Sequence, residues 1–125
     1  MKEINFSEIG IRGRKAILTT DTTGRIITLN KAAQKLLDVD KNELIGKNFI
    51  DIFGRELNPQ ERIDTLKEKM INNESYHDFF KVKRFKNEDE FIWTDLVFDP
   101  LIIKDVKQGF TLMLSEVPES DKPRE

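Results

Sequence analysis

Two apolar periods alternate along this chain. Lys15-Ala16-Ile17-Leu18-Thr19-Thr20 reads as a strand, and Arg25 to Leu29 reads as a second one. Between them Asp21-Thr22-Thr23-Gly24 is a polar turn, with Gly24 available for a positive φ. Residues 15–29 therefore predict a hairpin.

The period then changes. Asn30 stands where an N-cap belongs, its side chain able to accept a backbone N–H that the first helical turn leaves unpaired, worth about 1 kcal/mol. Ala33, Leu36 and Leu37 follow at i, i+3 and i+4, one face of a helix. Asp40 with Glu43 three residues later marks another start, and Gly46 a stop. Phe49, Ile50 and Phe53 suggest a further short helical turn. Asn58-Pro59-Gln60-Glu61 is the clearest signal: Asn58 as cap, Pro59 at the first helical position, Glu61 completing a capping box. That helix runs to about Ile71 with Ile63, Leu66 and Met70 on one stripe, and Asn72-Asn73 ends it.

Branched and aromatic residues dominate the rest. Phe79 to Phe85, Phe91 to Leu101 and Phe110 to Ser115 read as strands, with turns at Asn87-Glu88-Asp89 and Asp105 to Gln108. The order is β-β-α-α-α-α-β-β-β, an α+β pattern in which helices interrupt an antiparallel sheet after its second strand. Residues 1–14, with Ile4, Phe6, Ile9 and Ile11, form a cap or arm. The compact domain spans 15–117. Pro118 and Pro123 prevent a continuous helix in the tail, 118–125.

Composition narrows the chemistry. One domain accounts for 125 residues, and nine Phe argue against a disordered chain. Lys and Arg number 21 against 23 Asp and Glu, so no global basic field exists to hold nucleic acid. The absence of Cys excludes disulfides, zinc–thiolate sites, iron–sulfur clusters and thiol nucleophiles. The single His excludes a His-rich metal site. No apolar run exceeds three residues, where a membrane span needs about twenty. The expectation is a soluble cytoplasmic domain with no membrane contact.

Residues 20–33, Thr20-Asp21-Thr22-Thr23-Gly24-Arg25-Ile26-Ile27-Thr28-Leu29-Asn30-Lys31-Ala32-Ala33, resemble the opening of a PAS domain, a sensory and regulatory module of bacterial signalling proteins. Asn42-Glu43-Leu44-Ile45-Gly46-Lys47 is similar to that family's next helix and loop. Phe91-Ile92-Trp93-Thr94-Asp95-Leu96 with Pro100 resembles its long fourth strand, and Gly109-Phe110 leads into its fifth. Ser115-Glu116-Val117-Pro118-Glu119 is a weak form of its acidic exit motif, with Pro118 departing from a helical linker. Asp89 also stands where the turn before the fourth strand usually has glycine. The resemblance covers about 15–119. It implies a five-stranded antiparallel sheet with helices packed on one face, and sensing, regulation or dimerisation rather than catalysis. It names no ligand.

The family register turns Ala16, Leu18, Thr20, Phe80, Val82, Arg84, Thr94, Leu96, Phe98, Phe110, Leu112 and Leu114 toward the helices. From these, Leu18, Thr20, Phe80, Arg84, Thr94, Leu96, Phe98, Leu112 and Leu114 are the candidate pocket lining. The alternate set, Ile17, Phe79, Phe85, Phe91, Trp93, Val97, Thr111 and Met113, is too apolar for a face left in water. The arm and a second copy of the domain are the expected cover, with Ile17, Phe91, Trp93, Val97 and Met113 at the interface; the arm alone is the alternative.

Other residues are weighed on placement. His77 follows the long helix rather than lying on it, which disfavours a haem ligand and favours a strand-end histidine. A photo-adduct flavin requires a cysteine the chain lacks, whereas noncovalent flavin is left open. Arg84 could clamp a carboxylate or phosphate, or reach water at the strand end. Thr94 could bond a ligand from the pocket floor, or simply pack. Lys81, Lys83, Arg84 and Lys86 beside Glu88-Asp89-Glu90 read as a solvated hairpin. Asp95 and Asp99 on one strand lie roughly 13 Å apart, too far to share a reaction centre. The first reading is a PAS-type module that binds a small molecule or partner and reports through a dimer interface. A ligand-free interaction domain with a fully packed core is the alternative, and a small cupped-sheet enzyme ranks last. The output domain or partner protein lies outside these 125 residues.

Overall fold

The structure is a computed structural model that describes residues 15–54, 56–118 and 121–122. Strands β1 (Ala16–Thr20) and β2 (Ile26–Leu29) form the expected hairpin. Helices α1 (Lys31–Leu37) and α2 (Lys41–Leu44), a 3-10 helix (Phe49–Phe53) and α3 (Gln60–Ile71) follow. Strands β3 (Tyr76–Arg84), β4 (Asn87–Ile103) and β5 (Val106–Glu116) complete the chain. The sheet order is β2-β1-β5-β4-β3, with every neighbour antiparallel. The N-terminal arm, 1–14, lies outside the described residues.

Local chemistry fixes the first half. Asp21 Oδ1 accepts from the Thr23 hydroxyl at 2.7 Å and from the Thr23 and Arg25 amides at 2.9 Å each. The Thr23 hydroxyl first, then the Arg25 amide, holds the Asp21 carboxyl below its usual range. Asn30 caps α1 through Oδ1, which accepts from Ala33 N at 2.9 Å. The same oxygen accepts from Ile17 N at 3.1 Å, and Nδ2 donates to Lys15 O at 3.1 Å. One side chain thus starts the helix and ties it to the first strand. Asp40 N donates to Glu43 Oε1 at 3.2 Å, as the α2 start motif requires.

The Asn58 expectation is corrected. Helix α3 begins at Gln60 with Pro59 as its N-cap and no side-chain cap bond. The Asn58 amide instead leaves its own helix. Nδ2 donates to Phe53 O at 3.1 Å and Lys81 O at 2.9 Å, while Oδ1 accepts from Lys81 N at 2.8 Å. A capping motif and a tertiary staple share one residue type, and the partner here is 23 residues away.

Two turns also shift. Phe85-Lys86 connects β3 to β4, so Asn87 and Asp89 belong to β4. Lys104 and Asp105 make the β4–β5 turn, both with positive φ (51° and 65°). That is the conformation of a two-residue primed hairpin, reached here without the usual glycine. Phe85, expected on the face away from the helices, packs against the core and donates its N–H to Leu37 O at 2.8 Å. It stands in the turn, where strand alternation no longer applies.

Both borders of the sheet are occupied. Along β2, Ile26 N donates to Lys47 O at 2.9 Å and Gly46 N donates to Ile26 O at 2.8 Å. Along β3, Asn58 bonds both backbone groups of Lys81, and Asp78 Oδ1 accepts from Phe79 N at 2.7 Å. Beyond Thr20 and Tyr76 the β4–β5 hairpin continues alone as a spur carrying exposed Ile102, Ile103 and Val106.

Candidate functional site

The inner face of the sheet is closed. Leu18, Thr20, Phe80, Thr94, Leu96, Phe98, Leu112 and Leu114 are all fully buried against the helices. Ile63 and Leu66 of α3 join the same core, and Met70 packs at its margin. Periodicity of two on the strands and near four on the helix brings these residues together, as the face assignment required.

Aromatic rings occupy the space between the layers. Phe110 stacks on Phe98 with centroids 4.9 Å apart, and Phe98 stacks on Phe49 at 5.6 Å. Phe49 meets Phe53 edge-on at 6.4 Å, Phe53 lies 4.8 Å from Phe80, and Phe80 meets Tyr76 at 6.3 Å. The rings cross the domain from β5 to the start of β3.

The buried Thr and Asn side chains are committed. Thr94 Oγ1 donates to Phe80 O at 2.9 Å, and Thr20 Oγ1 donates to Asp21 O at 2.8 Å. Asn58 is spent on Phe53 and Lys81. Arg84 does not join the rings. Its guanidinium faces Asp38 at 3.8 Å and Glu90 at 4.0 Å, where β3 ends beside α1.

The outer face carries the other set. Ile17, Met113 and Val97 stand in register across β1, β5 and β4, all half-buried, and His77 extends the row onto β3. His77 Nε2 bonds the Asp95 carboxylate and is exposed. Asp99 accepts from Ser75 Oγ at 2.5 Å, so the two aspartates serve separate partners. Trp93 is only 6% exposed while Phe91 is 46% exposed. Lys81 Nζ lies over both rings, 4.9 Å from Phe91 and 5.1 Å from Trp93, and Lys83 Nζ lies 4.5 Å from the Phe85 ring. Sequence reading treated these lysines as solvated. The signal available was Lys-x-Lys pairing across the hairpin with Phe-x-Trp.

Among the described residues no cluster of three or more His, Asp or Glu is arranged to hold a metal, and no helix is long and apolar enough to cross a membrane.

A family model described as PAS domain matches residues 14–115. This chain belongs to the PAS domain family. PAS domains are sensory modules of signalling proteins, and this domain is one of that class. No curated protein matches it. Among solved structures, the LOV domain of a blue-light activated histidine kinase from Erythrobacter litoralis is similar with a TM-score of 0.70 and 18% identity, over 83% of this chain and 96% of that one. The larger Erythrobacter kinase structure gives a TM-score of 0.77 at 18% identity, over 97% of this chain but 38% of the kinase. A PAS domain from Colwellia psychrerythraea gives 0.65 at 18%, over 82% of this chain and 86% of that one. Such identities show a shared fold.

A resident flavin or haem does not fit the inner face of this PAS domain. The rings pack on one another between the sheet and the helices, and the buried Thr and Asn side chains already have partners. Without cysteine, thiol–flavin chemistry is closed to it as well.

Proposed function

We propose that this PAS domain is a regulatory module of signal transduction that works by docking. Its outer sheet face meets a second copy of the domain, and an output domain or partner protein elsewhere receives the signal. Its interior is held by its own side chains rather than by a resident cofactor. The observation that supports this is the unbroken ring sequence from Phe110 to Phe80 with every buried hydroxyl committed.

The docking is weak by arithmetic. Completing the burial of half-covered Ile17, Val97, Met113 and Phe91 contributes less than the ~1.5–3 kcal/mol each that full burial would give. Association costs about 4–15 kcal/mol, so the dimer depends on concentration.

Native mass spectrometry and an absorption spectrum of the purified domain test the interior. The expected result is the bare polypeptide mass with protein absorption alone. A copurifying chromophore or added mass overturns it in favour of a sensor with a ligand in the Leu18–Leu112 layer.

A further inference from the structure

Asn58 sits in a short strap, 56–59, that leads into α3. Gly54 at the end of the 3-10 helix (φ 66°) and Glu56 at the start of the strap (φ 64°) both hold positive φ. Asn58 is 8% exposed, and its amide makes the three bonds to Phe53 and Lys81 described above. At Lys81 this amide takes the position of a neighbouring strand on the β3 border.

Lys81 is also the residue whose side chain crosses to the opposite face. Its Nζ lies over Phe91 and Trp93, and it pairs directly with Trp93 in the β3–β4 ladder. The carbonyl of Trp93 accepts from Val117 N at 2.9 Å, one residue past the end of β5. Strap, Asn58, Lys81, Trp93 and the exit segment are thus joined by consecutive direct contacts.

We propose that Asn58 is a latch coupling the strap to the outer face and exit of the sheet. Displacing the strap withdraws both backbone partners of Lys81, loosens β3 at that residue and draws its ammonium off the two rings. A ligand or partner that moves the strap would then be read at Trp93 and Val117. The signalling meaning rests on the docking reading; the coupling itself does not.

Trp93 is the sole tryptophan, so its emission reports the far end without labels. Hydrogen exchange of the Lys81 and Val117 amides and Trp93 emission are measured at a concentration where the chain is monomeric. Asn58→Ala is expected to speed Lys81 exchange at least tenfold, speed Val117 exchange and shift Trp93 emission. Asn58→Asp keeps the acceptor for Lys81 N and loses both donated bonds, so it should fall between Ala and wild type. Lys81→Met should shift Trp93 emission while leaving its own amide protected. Faster Lys81 exchange with unchanged Trp93 and Val117 would make Asn58 a local staple and overturn the proposal. Global unfolding of both Asn58 variants would overturn it too, since a residue that cannot be released is no latch. Light scattering separates the two readings: a monomer at every concentration removes docking and leaves the latch intact.

Discussion

A Cβ built on Gly109 would lie 1.8 Å from the carbonyl oxygen of Thr20, where β5 passes the end of β1. Gly109 also holds φ at +150°, which L side chains rarely adopt. Clash and conformation act together, and the obstacle is backbone that cannot rotate aside. Gly109→Ala should cost about 2–4 kcal/mol in urea unfolding. A loss below about 1 kcal/mol would mean that β1 and β5 separate freely at this point.

Asn30 makes the cap of α1, one bond to Ile17 of β1 and one to Lys15 just before it with one amide. Asn30→Ala should cost about 1–2 kcal/mol, toward the upper end for a cap. Asn30→Asp keeps both accepted bonds and loses the one donated to Lys15, so it should cost clearly less. Equal losses for the two variants would show that the cap itself contributes nothing.

Tyr76, the sole tyrosine, is pushed up from 10.0 to about 12, first by burial and then by its hydroxyl bond to Asp78 at 2.7 Å. The folded state therefore keeps a proton that the unfolded chain releases. This contribution is complete below pH 10 and is lost as pH rises from 10 toward 12. Tyrosinate absorbance during an alkaline titration reads it directly, and Tyr76→Phe should flatten that part of the stability profile. Ionisation near 10.0 in the native protein would contradict the packing of this ring.

Phe98 is clasped between Phe49 and Phe110. Phe98→Ala should cost about 3–5 kcal/mol through lost contacts and an unfilled space. The vacated volume should also let small aromatic compounds bind and raise the melting temperature, which the wild type should not show.

Val97 lies in the Ile17–Met113–Val97 row. Val97→Glu should remove concentration-dependent association in sedimentation, with little change in the melting temperature because its side chain lies away from the core. Association unchanged by this variant would place the contact elsewhere.

Much of this was legible in the sequence because it is periodic or local. Ala33, Leu36 and Leu37 declare a helix face, Asn30 declares its cap, and alternation along 94–98 and 110–114 separates the two sheet faces. What escaped was non-local or atypical. Asn58 carries a capping motif, yet Lys81 is a better partner once β3 lies alongside it. Lys104-Asp105 turns without glycine because the paired strands on either side hold it there. Arg84 follows the inward register but ends beside Asp38 and Glu90, since a guanidinium among phenyl rings would lose its hydration.

The covered margins of the sheet reach beyond this one molecule. Lys47 and Asn58 stand where an incoming strand would have to pair, so these borders resist growth into ribbons or fibrils. Several such units strung along a longer polypeptide could sit side by side at high local density without cross-pairing there, and traffic between them would have to pass through flat surfaces or loop tips.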